Sequence, residues 1–132
     1  RMGALINDLG TRFPNAKICM VGTSRSTYST MGLAEKFDGK IDCIVHTASM
    51  NQIARFDTRK FKSRHLMVHH KNDPCHLTTY ASTQSNHERY KTPLITMEGG
   101  SSTGDACQAF SYHGFHDIEQ QTIDQIKAWI KQ

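Results

Sequence analysis

No hydrophobic run in this sequence approaches the roughly 18 residues that a membrane-spanning helix needs, so we expect no membrane partner. A dense basic stripe with interleaved aromatic residues is also missing. The 16 Lys and Arg residues exceed the 12 Asp and Glu residues only modestly, for a formal net charge of +4, and they are spread along the chain. Nucleic-acid-binding proteins usually concentrate their basic residues, so this charge pattern predicts no nucleic-acid partner.

The four cysteines form no CxxC pair, which argues against a zinc ribbon or a thioredoxin motif. Cys19 and Cys43 lie inside apolar runs and are predicted to be small core residues. Cys75 and Cys107 lie in stretches with the composition of loops.

Histidines are plentiful by contrast, and several gather around the third apolar run. The cluster consists of His65, His69, His70, Asp73 and His76. Alternation along a strand would point His69 and His70 to opposite faces, and no HExxH spacing is present. We therefore predict no metal site and no cofactor.

Short apolar runs alternate with amphipathic stretches along the chain. Consecutive apolar positions predict buried strands at about 18–21, 41–46, 66–69 and 93–97. Helical spacing predicts helices over the first dozen residues, over about 25–37 and 79–88, and after Asp117, which forms a capping-box pattern with Gln120. This order predicts one α/β domain over residues 1–132, with a short, mainly parallel sheet of about four strands flanked by helices.

The stretch Gly22-Thr23-Ser24-Arg25-Ser26 stands between the first strand and the following helix. A nucleophile elbow requires such a strand-to-helix turn, in which the middle side chain projects above the sheet edge. Gly22 supplies the small residue on one side of Ser24, whereas Ser26 stands where the usual pattern has a second glycine. The pattern alone leaves two interpretations: a nucleophilic Ser24, or a helix start capped by Ser24 or Thr23.

A serine hydrolase of this kind needs an acid and then a histidine later in the chain. Asp73 follows the third strand, and His113 lies in the loop between the fourth strand and the last helix. Because the carboxyl ends of parallel strands share one sheet edge, we expect Ser24, Asp73 and His113 to lie together there. His116 is an alternative base, and its other interpretation is a histidine at the entry to the last helix.

Three motifs resemble those of the α/β-hydrolase superfamily, in particular its dienelactone-hydrolase-like and esterase-like members. They read VGTSRS, VHHKNDPC and CQAFSYHGFHDIE in this chain. The resemblance runs along essentially the whole chain but covers only the C-terminal half of the family's usual fold. It implies that Ser24 is the nucleophile, Asp73 the orienting acid and His113 the base. It also implies an oxyanion donor in the backbone N–H of Arg25, while the strand and loop that normally supply the second donor are missing.

Half of the usual sheet would leave the first strand uncovered on one side, and proteins normally cover an exposed apolar edge. We therefore expect a homo-oligomer, a dimer or a larger assembly, that buries this edge. Two alternatives stay open: the chain is a fragment of a longer hydrolase, or it is a non-catalytic assembly or binding protein on a degenerate hydrolase half.

Contact between Asp73 and His113 would bring together the loops that carry Cys75 and Cys107. We expect a disulfide between these cysteines, which indicates a periplasmic or secreted protein; without the bond, a cytoplasmic one is expected.

Segment 48–64 is predicted either to wall an acyl pocket or to be a solvated connection. Together these features predict a carboxylesterase that cleaves small soluble esters through an acyl-enzyme.

Overall fold

The computed structural model describes the whole chain, residues 1–132. Four α-helices alternate with four β-strands. The helices are α1 (Met2–Arg12), α2 (Ser26–Lys36), α3 (Tyr80–Tyr90) and α4 (Glu119–Ile130). The strands are β1 (Cys19–Thr23), β2 (Cys43–Thr47), β3 (Arg64–His70) and β4 (Leu94–Met97). Each helix and strand lies where the sequence predicts it, with small differences at the ends.

The four strands form one sheet in the sequential order β1-β2-β3-β4, and every neighbouring pair is parallel. This confirms the predicted α/β fold with a short parallel sheet. The carboxyl ends of the strands share one edge of the sheet, which is where open α/β folds bind their ligands. β1 has a strand neighbour on one side only. None of the helices has the length and apolar character needed to cross a bilayer.

Side chains alternate between the two faces of the sheet, and each face has its own core. On one face, Val45 and Leu66 pack with Ile126 of α4. On the other face, Ile44 packs with Ile6 of α1. The two central strands, β2 and β3, are therefore covered on both faces, as their consecutive apolar residues require.

The start of α4 differs from the prediction. The helix begins at Glu119, and its N-cap residue is Ile118, which makes no side-chain capping bond. Asp117 takes a φ of +65°, and its carboxylate accepts a hydrogen bond from the Ser101 hydroxyl instead. The prediction that Asp117 caps the helix together with Gln120 is wrong, because the left-handed turn at Asp117 directs its carboxylate toward the preceding loop.

Cys19 and Cys43 are predicted to be small core residues, and the sequence does not pair them. They are opposite residues of the neighbouring strands β1 and β2, and a disulfide bond joins them. Cys43 is fully buried, as its apolar neighbours in sequence indicate. The pairing depends on the register between the two strands, which the local sequence does not specify.

Candidate active site

Ser24 occupies the turn between β1 and α2. Its φ is +53°, a left-handed conformation that non-glycine residues rarely adopt and that often occurs at functional turns. Its N–H donates to the carbonyl oxygen of Thr47 on β2 over 2.9 Å, which fixes the turn at the carboxyl edge of the sheet. The turn thus has the conformation that a nucleophile elbow requires.

The residues that flank Ser24 explain how the turn is accommodated. A Cβ atom on Gly22 would lie 2.5 Å from Thr30 Cγ2 of α2, so the strand and the helix approach too closely for a side chain there. Ser26 begins α2 with its side chain exposed, and Thr23 is exposed as well. The missing second glycine is tolerated because position 26 faces solvent.

His113 lies in a short 3-10 turn in the loop before α4. The hydroxyl oxygen of Ser111 accepts a hydrogen bond from the His113 N–H, 3.0 Å away, and so caps this turn. A side chain at Gly114 would collide with the carbonyl oxygen of Ala109, which explains why glycine follows the histidine. The close packing of this loop holds His113 at the sheet edge.

The side chain of His113 lies between those of Ser24 and Asp73. Its Nε2 atom is 3.0 Å from Ser24 Oγ, and its Nδ1 atom is 3.0 Å from Asp73 Oδ2. The Asp73 side chain is fully buried, whereas Ser24 is half-buried. The structure therefore brings the three predicted residues into one hydrogen-bonded chain.

Asp73 is ionised although it is buried. Burial by itself raises the pKa of a carboxyl group, but hydrogen bonds from His113, from His69 and from the Cys75 N–H outweigh this and lower the pKa of Asp73 to about 2. The Cys75 N–H lies 2.9 Å from Oδ1, the carboxylate oxygen that does not contact His113. The charge needed to stabilise a protonated His113 is therefore present at neutral pH.

The backbone N–H of Arg25 donates no hydrogen bond within the chain. Arg25 is the N-cap residue of α2, with φ and ψ of −55° and −32°, so its N–H belongs to the unpaired first turn of that helix. Such an N–H next to a serine nucleophile can donate to the oxyanion of a tetrahedral intermediate.

A cavity of about 490 Å³ opens beside Ser24 and His113 and extends over β1 toward α4. It exists because α4 covers the sheet at β2 and β3 but leaves β1 bare. Val21 of β1 is 57% exposed, and Ile123 of α4 is 49% exposed; both line the cavity. The cavity therefore offers an apolar surface next to the Ser24 hydroxyl.

No family model matches the chain, and no curated protein matches it in sequence. Among solved structures, the chain is similar to an alpha-beta serine hydrolase homologue from Coxiella burnetii, with a TM-score of 0.62. The fold is α/β-hydrolase-like. The two sequences are 15% identical, and the match covers 98% of this chain and 55% of the other. The chain thus spans about half the length of that α/β-hydrolase structure.

Segment 48–64 does not line the cavity of this α/β-hydrolase-like fold, so the prediction that it walls an acyl pocket is wrong. Phe56 and Phe61 of the segment pack against the core on the opposite face of the sheet, whereas Ala48 at its start belongs to the core under α4. The side-chain amide of Asn86 in α3 donates to the carbonyl oxygens of Ile53 and Phe56 at 2.6 and 2.8 Å. Ile53 of the segment is fully buried, so the alternative prediction, that the segment is only a solvated connection, is wrong as well.

His116 lies outside the hydrogen-bonded chain of Ser24, His113 and Asp73. Its Nδ1 atom is 3.5 Å from Glu119 Oε1, and its Nε2 atom is 3.7 Å from Asp117 Oδ1. These carboxylates lie at the start of α4, so the contacts favour the interpretation of His116 as a histidine at the helix entry.

Cys75 and Cys107 are joined by a disulfide bond, which is the pairing that the sequence analysis expects. The bond connects the loop that follows Asp73 to the loop that leads to His113. Cys107 also lines the cavity next to Ser24. With the Cys19–Cys43 bond, this leaves the chain without a free cysteine.

Sequence reasoning missed three residues around Asp73: His69, Thr78 and Thr83. His69 and Asp73 stand four residues apart, which is the one local signal that they could meet. The contacts of Thr83 depend on the docking of α3 against β3, which no local pattern specifies. His69 belongs to the histidine cluster considered as metal ligands, and the structure contains no group of three or more His, Cys, Asp or Glu side chains arranged to hold a metal ion.

Proposed function

We propose that this protein is a serine hydrolase that cleaves carboxylic esters, with Ser24 as nucleophile, His113 as general base and Asp73 as the orienting acid. The observation that carries the proposal is the chain of two 3.0 Å contacts from Ser24 Oγ through His113 to Asp73 Oδ2. The α/β-hydrolase-like fold supports it, since the three side chains lie at the sheet edge where such folds bind ligands. The three sequence motifs favour a dienelactone-hydrolase-like esterase.

The reaction follows from these contacts. Ser24 Oγ attacks the ester carbonyl carbon while His113 Nε2 accepts the hydroxyl proton, and Asp73 stabilises the resulting imidazolium. His113 then returns the proton to the departing alcohol as the C–O bond breaks, which leaves an acyl group on Ser24. Water, deprotonated by His113, attacks this acyl-enzyme, and His113 returns the proton to Ser24 Oγ as the bond to the acyl group breaks and the acid departs.

The oxyanion that forms in each step receives a hydrogen bond from the Arg25 N–H. The strand and loop that supply a second donor in related hydrolases have no counterpart among the four strands of this chain. Loss of one oxyanion donor typically lowers kcat by roughly 100- to 1000-fold. We therefore expect slow turnover from the 132-residue chain by itself.

The cavity favours small esters with an apolar acyl group. Its volume of about 490 Å³ suits a small molecule, and Val21 and Ile123 give it an apolar wall. We propose that the acyl group lies against this wall while the carbonyl carbon faces Ser24.

Hydrolysis of p-nitrophenyl acetate and p-nitrophenyl butyrate by wild type, Ser24→Ala and Ser29→Ala tests the proposal. Ser29 is the matched control, because it lies in α2 with its side chain exposed and contributes nothing to the site. We expect Ser24→Ala to lower kcat at least about 1000-fold and Ser29→Ala to leave it unchanged. Equal rates for wild type and Ser24→Ala would contradict a serine-hydrolase function.

A non-catalytic assembly protein is the second candidate, and the open edge of the sheet favours it. β1 has one strand neighbour, and its Val21 side chain is 57% exposed. Such a protein would assemble through this edge and would lose assembly in a Val21→Lys variant, while Ser24→Ala would change nothing measurable. A serine hydrolase would instead lose ester hydrolysis in the Ser24→Ala variant.

A further inference from the structure

Asp73 has more hydrogen-bond donors than the proposed reaction requires. Its Oδ2 atom lies 3.0 Å from His113 Nδ1, 3.0 Å from His69 Nε2 and 3.0 Å from Thr78 Oγ1. His69 has no part in the proton transfers, yet its side chain is fully buried directly against this carboxylate. A buried histidine in this position needs a structural or functional reason.

The contacts of His69 determine where its proton lies. Nε2 faces two acceptors, the Asp73 carboxylate and the carbonyl oxygen of Thr78 at 2.8 Å. Because neither of these can donate a hydrogen bond, Nε2 must carry the proton. Nδ1 then accepts from the hydroxyl of Thr83, a residue of α3 that lies 2.8 Å away. The two acceptors at Nε2 therefore fix the tautomer of His69, and the Thr83 hydroxyl holds the ring in place from its other nitrogen.

Thr78 contacts both partners of the Asp73–His113 pair. Its hydroxyl donates to Asp73 Oδ2 and lies 2.9 Å from His113 Nδ1, from which it accepts. The His113 Nδ1–H is thus shared between the carboxylate and this hydroxyl. Since His69 binds the Thr78 carbonyl oxygen as well as Asp73, it holds both residues that accept a hydrogen bond from the His113 Nδ1–H.

We propose that His69 is a positioning residue of the active site, whose Nε2–H fixes the Asp73 carboxylate and the Thr78 backbone so that both meet His113 Nδ1. This inference rests on the proposed hydrolase function. His69 and His113 are the titratable side chains within hydrogen-bond distance of Asp73, and the other contacts are the Thr78 hydroxyl and the Cys75 N–H.

Removal of the His69 donor has two consequences. The carboxylate of Asp73 loses one of its restraints, so His113 is aligned less well with Ser24 and kcat falls. The carboxylate charge, no longer shared with His69, also acts more strongly on His113 and stabilises its protonated form. The acid limb of the pH–rate profile therefore moves to higher pH, which a general loss of stability would not produce.

The test compares His69→Met, which has no donor, with His69→Gln, whose amide can donate from a similar position. We expect His69→Met to lower kcat about 10- to 100-fold and to move the acid limb upward by about one pH unit, and His69→Gln to restore most of both. The matched control is His65→Met, because His65 is another buried, hydrogen-bonded histidine of β3 whose ring contacts Ser63 and His46 instead. Equal pH profiles for His69→Met and His65→Met would overturn the proposal.

A second measurement separates this inference from the proposed function. In a Ser24→Ala background, which cannot hydrolyse ester, NMR titration of the His113 ring measures the effect of the Asp73 charge on His113 without catalysis. A higher midpoint in His69→Met supports the positioning role, and an unchanged midpoint overturns it. Absence of ester hydrolysis by the wild type would overturn the proposed function alone.

If circular dichroism shows that His69→Met does not fold, Thr83→Val replaces it. This variant keeps His69 but removes the hydroxyl that donates to its Nδ1 atom. We expect a shift of the His113 midpoint in the same direction and of smaller size. An unchanged midpoint in folded Thr83→Val would also overturn the proposal.

Discussion

Asp73 Oδ2 and His113 Nδ1 lie 3.0 Å apart, although 40 residues of the chain separate them. The contact joins the loop after β3 to the loop before α4, so each residue is held by a different part of the sheet edge. It gives the imidazole its orientation, and it predicts a large effect when the carboxylate is neutralised.

Asp73→Asn removes the charge that stabilises protonated His113 and replaces an acceptor with a group that can donate. We expect kcat to fall roughly 10³- to 10⁴-fold, measured with p-nitrophenyl acetate at neutral pH. The control is Asp105→Asn: both aspartates accept a hydrogen bond from the cysteine N–H two residues later, but Asp105 is exposed and does not contact His113. Similar losses in the two variants would contradict the role of Asp73.

The Cys75–Cys107 bond is expected to support activity as well as stability. It ties the loop that holds Asp73 to the loop that leads to His113, and its sequence separation is 32 residues. In the chain-entropy model a loop of this size is worth about 3.7 kcal/mol of the free energy of unfolding. We therefore predict that the Cys75→Ala/Cys107→Ala double variant loses stability and also has a lower kcat.

The second disulfide supplies a matched control for this prediction. Cys19 and Cys43 enclose a separation of 24 residues, so Cys19→Ala/Cys43→Ala should lose a similar free energy of unfolding. Its bond lies between β1 and β2, away from the loops of Asp73 and His113, so kcat should change little. A free-thiol assay in denaturant without reductant should find no thiol in the wild type, and four thiols would contradict both bonds.

The order of strands and helices along the chain and the position of the candidate site were predictable because both depend on local signals. Consecutive apolar residues marked each strand, and in a parallel sheet the loops after β1, β3 and β4 must share one edge. Ser24, Asp73 and His113 could therefore be assigned to the same sheet edge without any knowledge of their contacts. The role of Gly22 was equally predictable, because a close approach of strand and helix requires a small residue.

The errors concern contacts between segments that are distant in sequence. The Cys19–Cys43 bond depends on the register of β1 against β2. The path of segment 48–64 depends on Asn86, which binds two of its carbonyl oxygens from α3. The sequence left a pocket wall and a solvated connection open for that segment, because periodicity does not state on which face of the sheet an irregular segment packs.

Two buried histidines predict that stability depends on pH. His46 Nε2 lies 3.0 Å from His65 Nδ1, and the outer ring nitrogens contact the hydroxyl groups of Thr30 and Ser63. Burial, assisted by the neighbouring His65, lowers the pKa of His46 to about 3. Burial likewise lowers the pKa of His65 to about 4, against the opposing effect of Asp38. Both rings are therefore neutral in the folded protein at neutral pH.

The unfolded chain takes up protons on these histidines near pH 6.5, whereas the folded protein does so only near pH 3 to 4. Their contribution to stability is therefore complete above pH 6.5 and is lost as the pH falls toward 4, at up to about 1.4 kcal/mol per pH unit for each ring. Urea unfolding at several pH values should show this slope, and His65→Gln should reduce it. His76→Gln, which replaces an exposed histidine, should not. Parallel curves for wild type and His65→Gln would contradict the assignment.

The open edge at β1 predicts self-association. β1 has one strand neighbour, and Val21 exposes 57% of its surface on the face that α4 leaves bare. Unpaired backbone groups and exposed apolar side chains on an edge strand favour pairing with another chain. We therefore propose that the protein forms a homodimer or a larger homo-oligomer that buries this edge.

Light scattering during gel filtration at micromolar concentration tests this prediction. We expect a mass at least twice that of the 14.9 kDa chain for the wild type, and a monomer for Val21→Lys, because a lysine at the edge must be desolvated on pairing. Leu77→Lys is the matched control: Leu77 is also an exposed apolar residue, at 42%, but it lies after β3 and away from the edge. A monomeric wild type, or equal loss of assembly in both variants, would show that β1 is not the interface.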